Sequence, residues 1–248
     1  MAKDKTENFT DSNNPTGVET MSKKATISVF GTKPENAIVV PELPISAKNN
    51  CQAGKWTIGD EEYGSKLAMT ILKFSKFFGS LGQTKHTLWG QIWFVAEGGE
   101  LPHDVVMVTY VKGRSLSDFN RLVASVQARG IEPAEGVFVP DFIKHSGQKP
   151  DENGVIKPIN YYSLKWDWIE RSDWEMVEQA AIVLSDPQNL SRMIDLEGTR
   201  EMVCLDNLPP AEIACLMAAH LERPTSGEMA LTGAVSDDLM REPALANG

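Results

Sequence analysis

A long segment of the chain alternates apolar and polar side chains with the two-residue period of a β-strand. This segment, KLAMTILKFSKFFG at residues 66–79, places its apolar side chains first at odd positions and then at even ones. Such a change is expected where a β-bulge or a bend transfers the buried face of a strand to the other set of positions. The pattern therefore predicts one long, bent strand that ends at a glycine-containing turn.

Four more strands and one helix are predicted after this strand. The helical pattern at 115–130 begins with serines and ends at a glycine, and the strand patterns lie at 87–97, 105–113, 136–145 and 159–170. The strand at 87–97 is apolar on both faces, because Trp89 and Trp93 alternate with Leu88, Ile92 and Phe94. One face is expected to be core, so the other must be covered by a second sheet, a helix or a flat ligand.

The flanking segments differ in composition from this middle part. Residues 1–24 are polar and charged, and we expect them to be disordered. Residues 25–65 contain prolines and glycines around a short strand, which is typical of an extended lead-in that packs on the main domain. Residues 171–223 carry three short helical patterns, whereas 224–248 are typical of a disordered, mildly acidic tail.

The order of the predicted elements is three strands, one helix and two strands. Over residues 66–170 this order resembles the oligonucleotide/oligosaccharide-binding (OB) fold, a five-stranded Greek-key barrel. The resemblance implies a mainly β fold with a helical C-terminal appendage. It also implies a single-stranded-nucleic-acid-binding accessory protein of phage or mobile-element type, with DNA as the usual ligand and partner contacts to replication or recombination proteins through the C-terminal region.

Charge is distributed unevenly along the chain, and this changes the meaning of the net charge of −10. Residues 66–170 carry 12 Lys+Arg against 11 Asp+Glu, whereas residues 171–248 carry 5 against 14. A near-neutral middle domain can still present a basic stripe on one side. The acidic C-terminal part is expected to recruit partners, to compete with anionic ligands or to keep the protein soluble.

Aromatic and cationic side chains occur together on the predicted strands. Single-strand binders combine them because aromatic rings stack on bases while lysine and arginine follow the phosphates. The candidate nucleic-acid-binding residues are Trp89, Trp93, Tyr110, Lys112, Arg114, Lys73, Lys76, Lys144, Tyr161 and Lys165. Trp166 and Trp168 share one face of the last strand and are expected in the core instead.

Two interpretations of the candidate residues stay open. In the first, they form an exposed ligand surface. In the second, the lead-in or a C-terminal helix covers the tryptophans, the lysines are only solvated, and the protein is an interaction or assembly component. The helices within 171–223 would then form the interface, with a homo-oligomer as one outcome.

Enzymatic, metal-binding and membrane functions find little support in the sequence. The four histidines are scattered without ligand spacing, and Cys51, Cys204 and Cys215 form no CxxC pair, so no catalytic residue, cofactor, metal or disulfide framework is predicted. The N-terminus has no apolar signal region, and no apolar run is long enough to span a bilayer. We therefore expect a cytoplasmic protein without a membrane segment.

Overall fold

The computed structural model describes residues 37–150 and 155–221, so the predictions for 1–24, 224–248 and the start of the lead-in lie outside the described residues. The strands are β1 (Ile45–Asn50), β2 (Lys55–Ile58), β3 (Glu61–Tyr63), β4 (Leu67–Leu81), β5 (Thr84–Gly99), β6 (Val106–Lys112), β7 (Val137–Pro150), β8 (Ile156–Ile169) and β9 (Met202–Cys204). The helices are α1 (Gly113–Gln127), α2 (Glu175–Ser185), α3 (Pro187–Arg192) and α4 (Pro210–Leu221), with a 3₁₀ turn at Pro133–Glu135.

The described strands form one curled sheet in the order β3-β2-β1-β6-β5-β4-β7-β8, and β9 pairs with β4. The five strands predicted from the pattern are the consecutive group β6-β5-β4-β7-β8. The prediction of a mainly β fold is confirmed, but the five-strand count was wrong. The extra strands are only three to six residues long, and they are held by pairing with neighbouring strands, for example β1 in parallel with β6.

The bend predicted in the long strand is present in β4. Its pairing register with β5 shifts between Ala68 and Met69 and again between Ile71 and Lys73. After the second shift, Phe74 rather than an odd-numbered residue faces the same core as Met69. The bulge therefore shifts the buried face from odd-numbered to even-numbered residues, as the sequence pattern indicated.

The sheet is buried on both faces, which explains the doubly apolar pattern of β5. On one face, which we call the inner face, α1 packs over a core that includes Phe94, Phe119 and Trp166. The opposite, outer face of β4, β5 and β6 carries a second core that contains Trp93 and Val108. Residues 38–40, α2 and Met193 cover this second core.

Helix α1 lies unusually close to β5 at Gly90. A Cβ atom at Gly90 would lie 2.8 Å from Leu116 Cδ1 and 2.8 Å from Phe74 Cε2. A side chain at this position would therefore have to displace Leu116 or Phe74, whereas the backbone conformation of Gly90 itself does not demand glycine.

Helix α1 also covers the free edge of β8. Ser115 Oγ accepts a hydrogen bond from the Leu164 N–H (2.9 Å), and Asp118 Oδ2 accepts one from the Trp166 N–H (2.8 Å). The helix starts at Gly113 without a side-chain cap, because the ammonium of its N-cap residue, Lys112, cannot accept a hydrogen bond. The Tyr162 N–H donates to the Cys51 carbonyl (2.7 Å), so β8 also meets the β1–β2 turn.

Candidate nucleic-acid interface

Trp93 lies in the outer core and is covered. Its side chain is 1% exposed, and its Nε1–H donates to Gln91 Oε1 at 3.0 Å. The covering layer consists of residues 38–40 and the C-terminal helices, which is the alternative left open by the sequence. In this arrangement Trp93 cannot stack on a base, so its placement does not support the expected ligand role.

Trp89 is also covered, in part by a cation. Its exposed fraction is 6%, and its Nε1–H donates to the Gly79 carbonyl at 3.3 Å. Lys112 Nζ lies 5.0 Å from the centre of the Trp89 ring and bonds Thr84 Oγ1. Although the Lys112 side chain as a whole is exposed, burial of its ammonium lowers its pKa.

Tyr110 connects the sheet to the C-terminal appendage. Its hydroxyl accepts from Gln91 Nε2 (2.8 Å) and donates to Asp195 Oδ2 (2.9 Å). Burial, assisted by the negative charge of Asp195, raises the pKa of Tyr110 well above its usual value. The chain Trp93–Gln91–Tyr110–Asp195 is thus a partly buried polar network that ties the appendage to the outer face, which indicates a structural role for Tyr110.

Three other candidates lie on or beside the segments that join β6, α1 and β8. Lys112 ends β6, Arg114 lies in the first turn of α1, and Lys165 lies between Leu164 and Trp166, whose N–H groups bond α1. Each of these cations is exposed, and none has an ion-pair partner within 37–150 or 155–221. Asp141, which pairs across from Lys165, is bound by Lys66 at 2.8 Å.

An aromatic pair lies on the same strand as Lys165. Tyr161 and Lys165 share one face of β8, and the Tyr161 ring stacks on His145 of β7 with ring centres 5.1 Å apart and planes at 29°. His145 Nε2 is 2.8 Å from Ser163 Oγ, which holds the imidazole against the tyrosine. We call Lys112, Arg114, Tyr161 and Lys165 the seam surface.

The remaining candidates lie elsewhere. Lys144 pairs with Tyr162, and the alternation of the strand places its side chain on the face of the hairpin opposite to Tyr161. Lys73 and Lys76 are exposed on β4, beside a groove bordered by α1 and the 3₁₀ turn. The structure therefore separates the ten predicted residues into a covered group, the seam surface, Lys144 and two lysines at this groove.

Two features were missed from the sequence. His145 was dismissed as a loop residue, although its register opposite Tyr161 follows from pairing 136–145 with 159–170. Arg171 is 4% exposed in its side chain and pairs with Glu97 through two contacts, one of 2.7 Å from Nη1 to Oε2. The local sequence carries no signal for this ion pair, because its partners are 74 residues apart.

The described part of the chain contains no cluster of metal-ligating side chains. No group of three or more His, Cys, Asp or Glu residues there could hold a metal ion. Cys51, Cys204 and Cys215 are free thiols, and burial raises the pKa of Cys51. No helix in the described ranges is both long and apolar enough to cross a membrane.

Comparison with known proteins adds no relative to this description. Neither protein-family models, nor curated proteins, nor solved structures gave a match to the chain.

Proposed function

We propose that the protein binds single-stranded nucleic acid, with DNA as the expected ligand, along the seam surface. The observation that carries the proposal is the docking of β8 on α1, which places Arg114 and Lys165 on chain segments that touch. The three exposed cations, which have no ion-pair partner among the described residues, lie on these segments, and a stacked tyrosine–histidine pair lies on β8 and β7. Cations along a strand with an aromatic platform are the combination that sequence-tolerant single-strand binders use.

In this proposal Tyr161 stacks on a base, which is the role that the sequence predicted for Trp89 and Trp93. Its ring is half-buried and already held parallel to an imidazole, so a base can stack on it without a large loss of side-chain entropy. Lys112 and Arg114 then contact phosphates on one side of this ring, and Lys165 does so on its own strand. The OB resemblance supports this choice, since the hairpin between the last two strands is one of the ligand-binding loops of that fold.

The test is an anisotropy titration of a fluorescently labelled, unstructured oligonucleotide at several salt concentrations. Replacing Arg114 and Lys165 together by alanine is expected to weaken binding and to flatten the log–log salt dependence by about 1.4, because each lost phosphate contact removes ~0.7 for single strands. The matched control is Lys73→Ala with Lys76→Ala, which removes the same charge from another surface. Equal losses in both double variants, or no loss in the first, would contradict the proposal.

A second candidate function is protein–protein interaction or assembly. The observation that favours it is the exposed apolar surface of the appendage, formed by Trp174, Ile182, Leu190, Ile194, Leu196 and Val203. Ile182 is 70% exposed and Leu196 is 78% exposed, which is unusual for large apolar side chains so close together along the chain. Helix α4 adds an apolar segment in which no described side chain is buried.

Assembly is tested by light scattering coupled to size exclusion. A mass above the 27.3 kDa of one chain, which falls to that value in an Ile182→Glu, Leu196→Glu variant, would establish self-association through the appendage. A single-chain mass at all concentrations would leave nucleic-acid binding as the better-supported function.

A further inference from the structure

One side of β4 has a gap between two pairing partners. Strand β7 pairs with this side only at Met69, opposite Phe138, and β9 pairs with it from Phe77 to Gly79. The backbone of Lys76 is also hydrogen-bonded on this side. Its carbonyl accepts from the Leu205 N–H (2.7 Å), and its N–H donates to Asp206 Oδ1 (2.9 Å). Among the described residues, no strand pairs with residues 70–75 on this side.

The backbone of Phe74 faces this gap. Hydrogen-bonding groups of a strand point to alternate sides at successive residues, so residues two apart point the same way. Since the N–H and C=O of Lys76 face the β9 side, those of Phe74 do too. The register shift between Ile71 and Lys73 then ends the regular part of this edge.

A groove runs beside the gap. It has a volume of about 520 Å³, and its lining includes Ile71 and Phe74 of β4, Phe119 and Val123 of α1, and Pro133 of the 3₁₀ turn. Phe74 is half-buried against Phe119, with ring centres 4.9 Å apart, so an apolar surface continues from the edge into the groove. The groove thus offers an apolar contact next to backbone groups that have no partner among the described residues.

The charge at the groove is mainly positive on the strand side. Lys73 and Lys76 are exposed, and neither has an ion-pair partner in the described part of the chain. Glu132 lies on the opposite wall, where its carboxylate accepts a hydrogen bond from the Ala134 N–H (3.3 Å). An incoming segment that follows β4 therefore meets two lysines first.

We propose that this edge of β4 is a docking site for an extended, acidic peptide of a partner protein, which adds to the sheet as a short strand between β9 and β7. Both neighbours run antiparallel to β4, so a peptide in the gap would continue their line in the same orientation. Backbone hydrogen bonds to Phe74 supply the pairing, an apolar side chain enters the groove on the Phe74 face, and carboxylates on the other face of the peptide meet Lys73, while Lys76 adds positive charge on the groove side. Strand addition of this kind is a general mode of peptide recognition at exposed sheet edges.

The experiment uses the full chain and a labelled synthetic peptide of about eight residues in which valine alternates with aspartate, long enough for a gap of this size. A matched peptide of the same sequence carries N-methyl groups on the amides that face β4. The unmodified peptide is expected to bind, and the methylated one at least tenfold more weakly, because it cannot donate to the edge. Lys73→Glu with Lys76→Glu should weaken binding of the unmodified peptide, whereas Arg114→Glu with Lys165→Glu should not.

Three results would overturn the proposal. Equal binding of both peptides would show that no strand is added. Displacement of the peptide by an oligonucleotide, with the same dependence on Lys73 and Lys76, would assign the lysines to phosphates. Failure of the peptide to bind, together with self-association that is lost in the Lys73→Glu, Lys76→Glu variant, would assign the edge to a second copy of the chain.

Discussion

At the scale of single residues, Trp93 distinguishes a core from a ligand surface. Its ring is buried under α2 and residues 38–40, so Trp93→Ala should lower the free energy of unfolding by about 3–5 kcal/mol, measured by urea denaturation. Oligonucleotide affinity should be unchanged where the variant is folded. Trp174→Ala is the control, because that side chain is 52% exposed and its loss should cost little. Lost affinity in a fully stable Trp93 variant would contradict this prediction.

Tyr110 provides a prediction about alkaline pH. Its pKa is raised in the folded protein, by burial first and then by Asp195, whereas in the unfolded chain it is close to 10. The folded state therefore binds a proton that the unfolded state releases, so the contribution of Tyr110 is complete below pH 10 and is lost as the pH rises above 10. Urea midpoints between pH 8 and pH 11 should fall more steeply for the native chain than for Tyr110→Phe. Parallel curves would show that Tyr110 ionises normally.

At the scale of elements, the contact between α1 and β8 supports the seam surface. Ser115→Ala leaves the buried Leu164 N–H without its acceptor and should cost about 1–3 kcal/mol of unfolding free energy, measured by thermal or urea denaturation. Ser117→Ala is the matched control in the same helical turn, because the Ser117 side chain makes no hydrogen bond to any residue in the ranges that the structure describes. A similar cost in both variants would mean that helix propensity, and not the contact with β8, explains the loss.

The order of elements in the middle of the chain could be predicted because their alternation is strong. Strands β4 to β8 and α1 follow from the positions of residues such as Leu67, Phe94 and Phe119. The short strands β1, β3 and β9 could not be predicted in the same way. Segments such as EEY in β3 have no apolar alternation, and they are extended only because a partner strand supplies their hydrogen bonds.

The cover over Trp93 could not be predicted from β5 alone. Aromatic residues on one face of a strand are compatible with a ligand on that face or with a second protein layer there. The relevant signal lay about 90 residues away, in the apolar stripe of α2 that includes Met176, Ala180 and Val183. The local sequence does not predict which strand face such a stripe will cover. The seam surface could therefore be identified only from the three-dimensional fold.

At the scale of the whole molecule, the distribution of charge predicts an effect of the C-terminal end on binding. Residues 225–248 contain four acidic residues and one arginine. If they compete with phosphates for the seam surface, deleting them should tighten oligonucleotide binding at low salt and have little effect at high salt, where the competition is screened. Neutralising Glu228, Asp237, Asp238 and Glu242 to their amides separates charge from length. Unchanged affinity in both variants would exclude this competition.

The parallel pairing of β1 with β6 has a consequence for how the chain is made. Asn49 in β1 donates to the Tyr110 carbonyl across 61 positions of sequence. A ribosome releases β1 and its neighbours β2 and β3 long before β6 exists, so the three strands must wait without the partner that anchors them. Trp56, which is fully buried in the finished fold, stays uncovered during that interval. These strands therefore complete their pairing only after β6 has been synthesised, so the time for which Trp56 stays uncovered depends on the rate of translation.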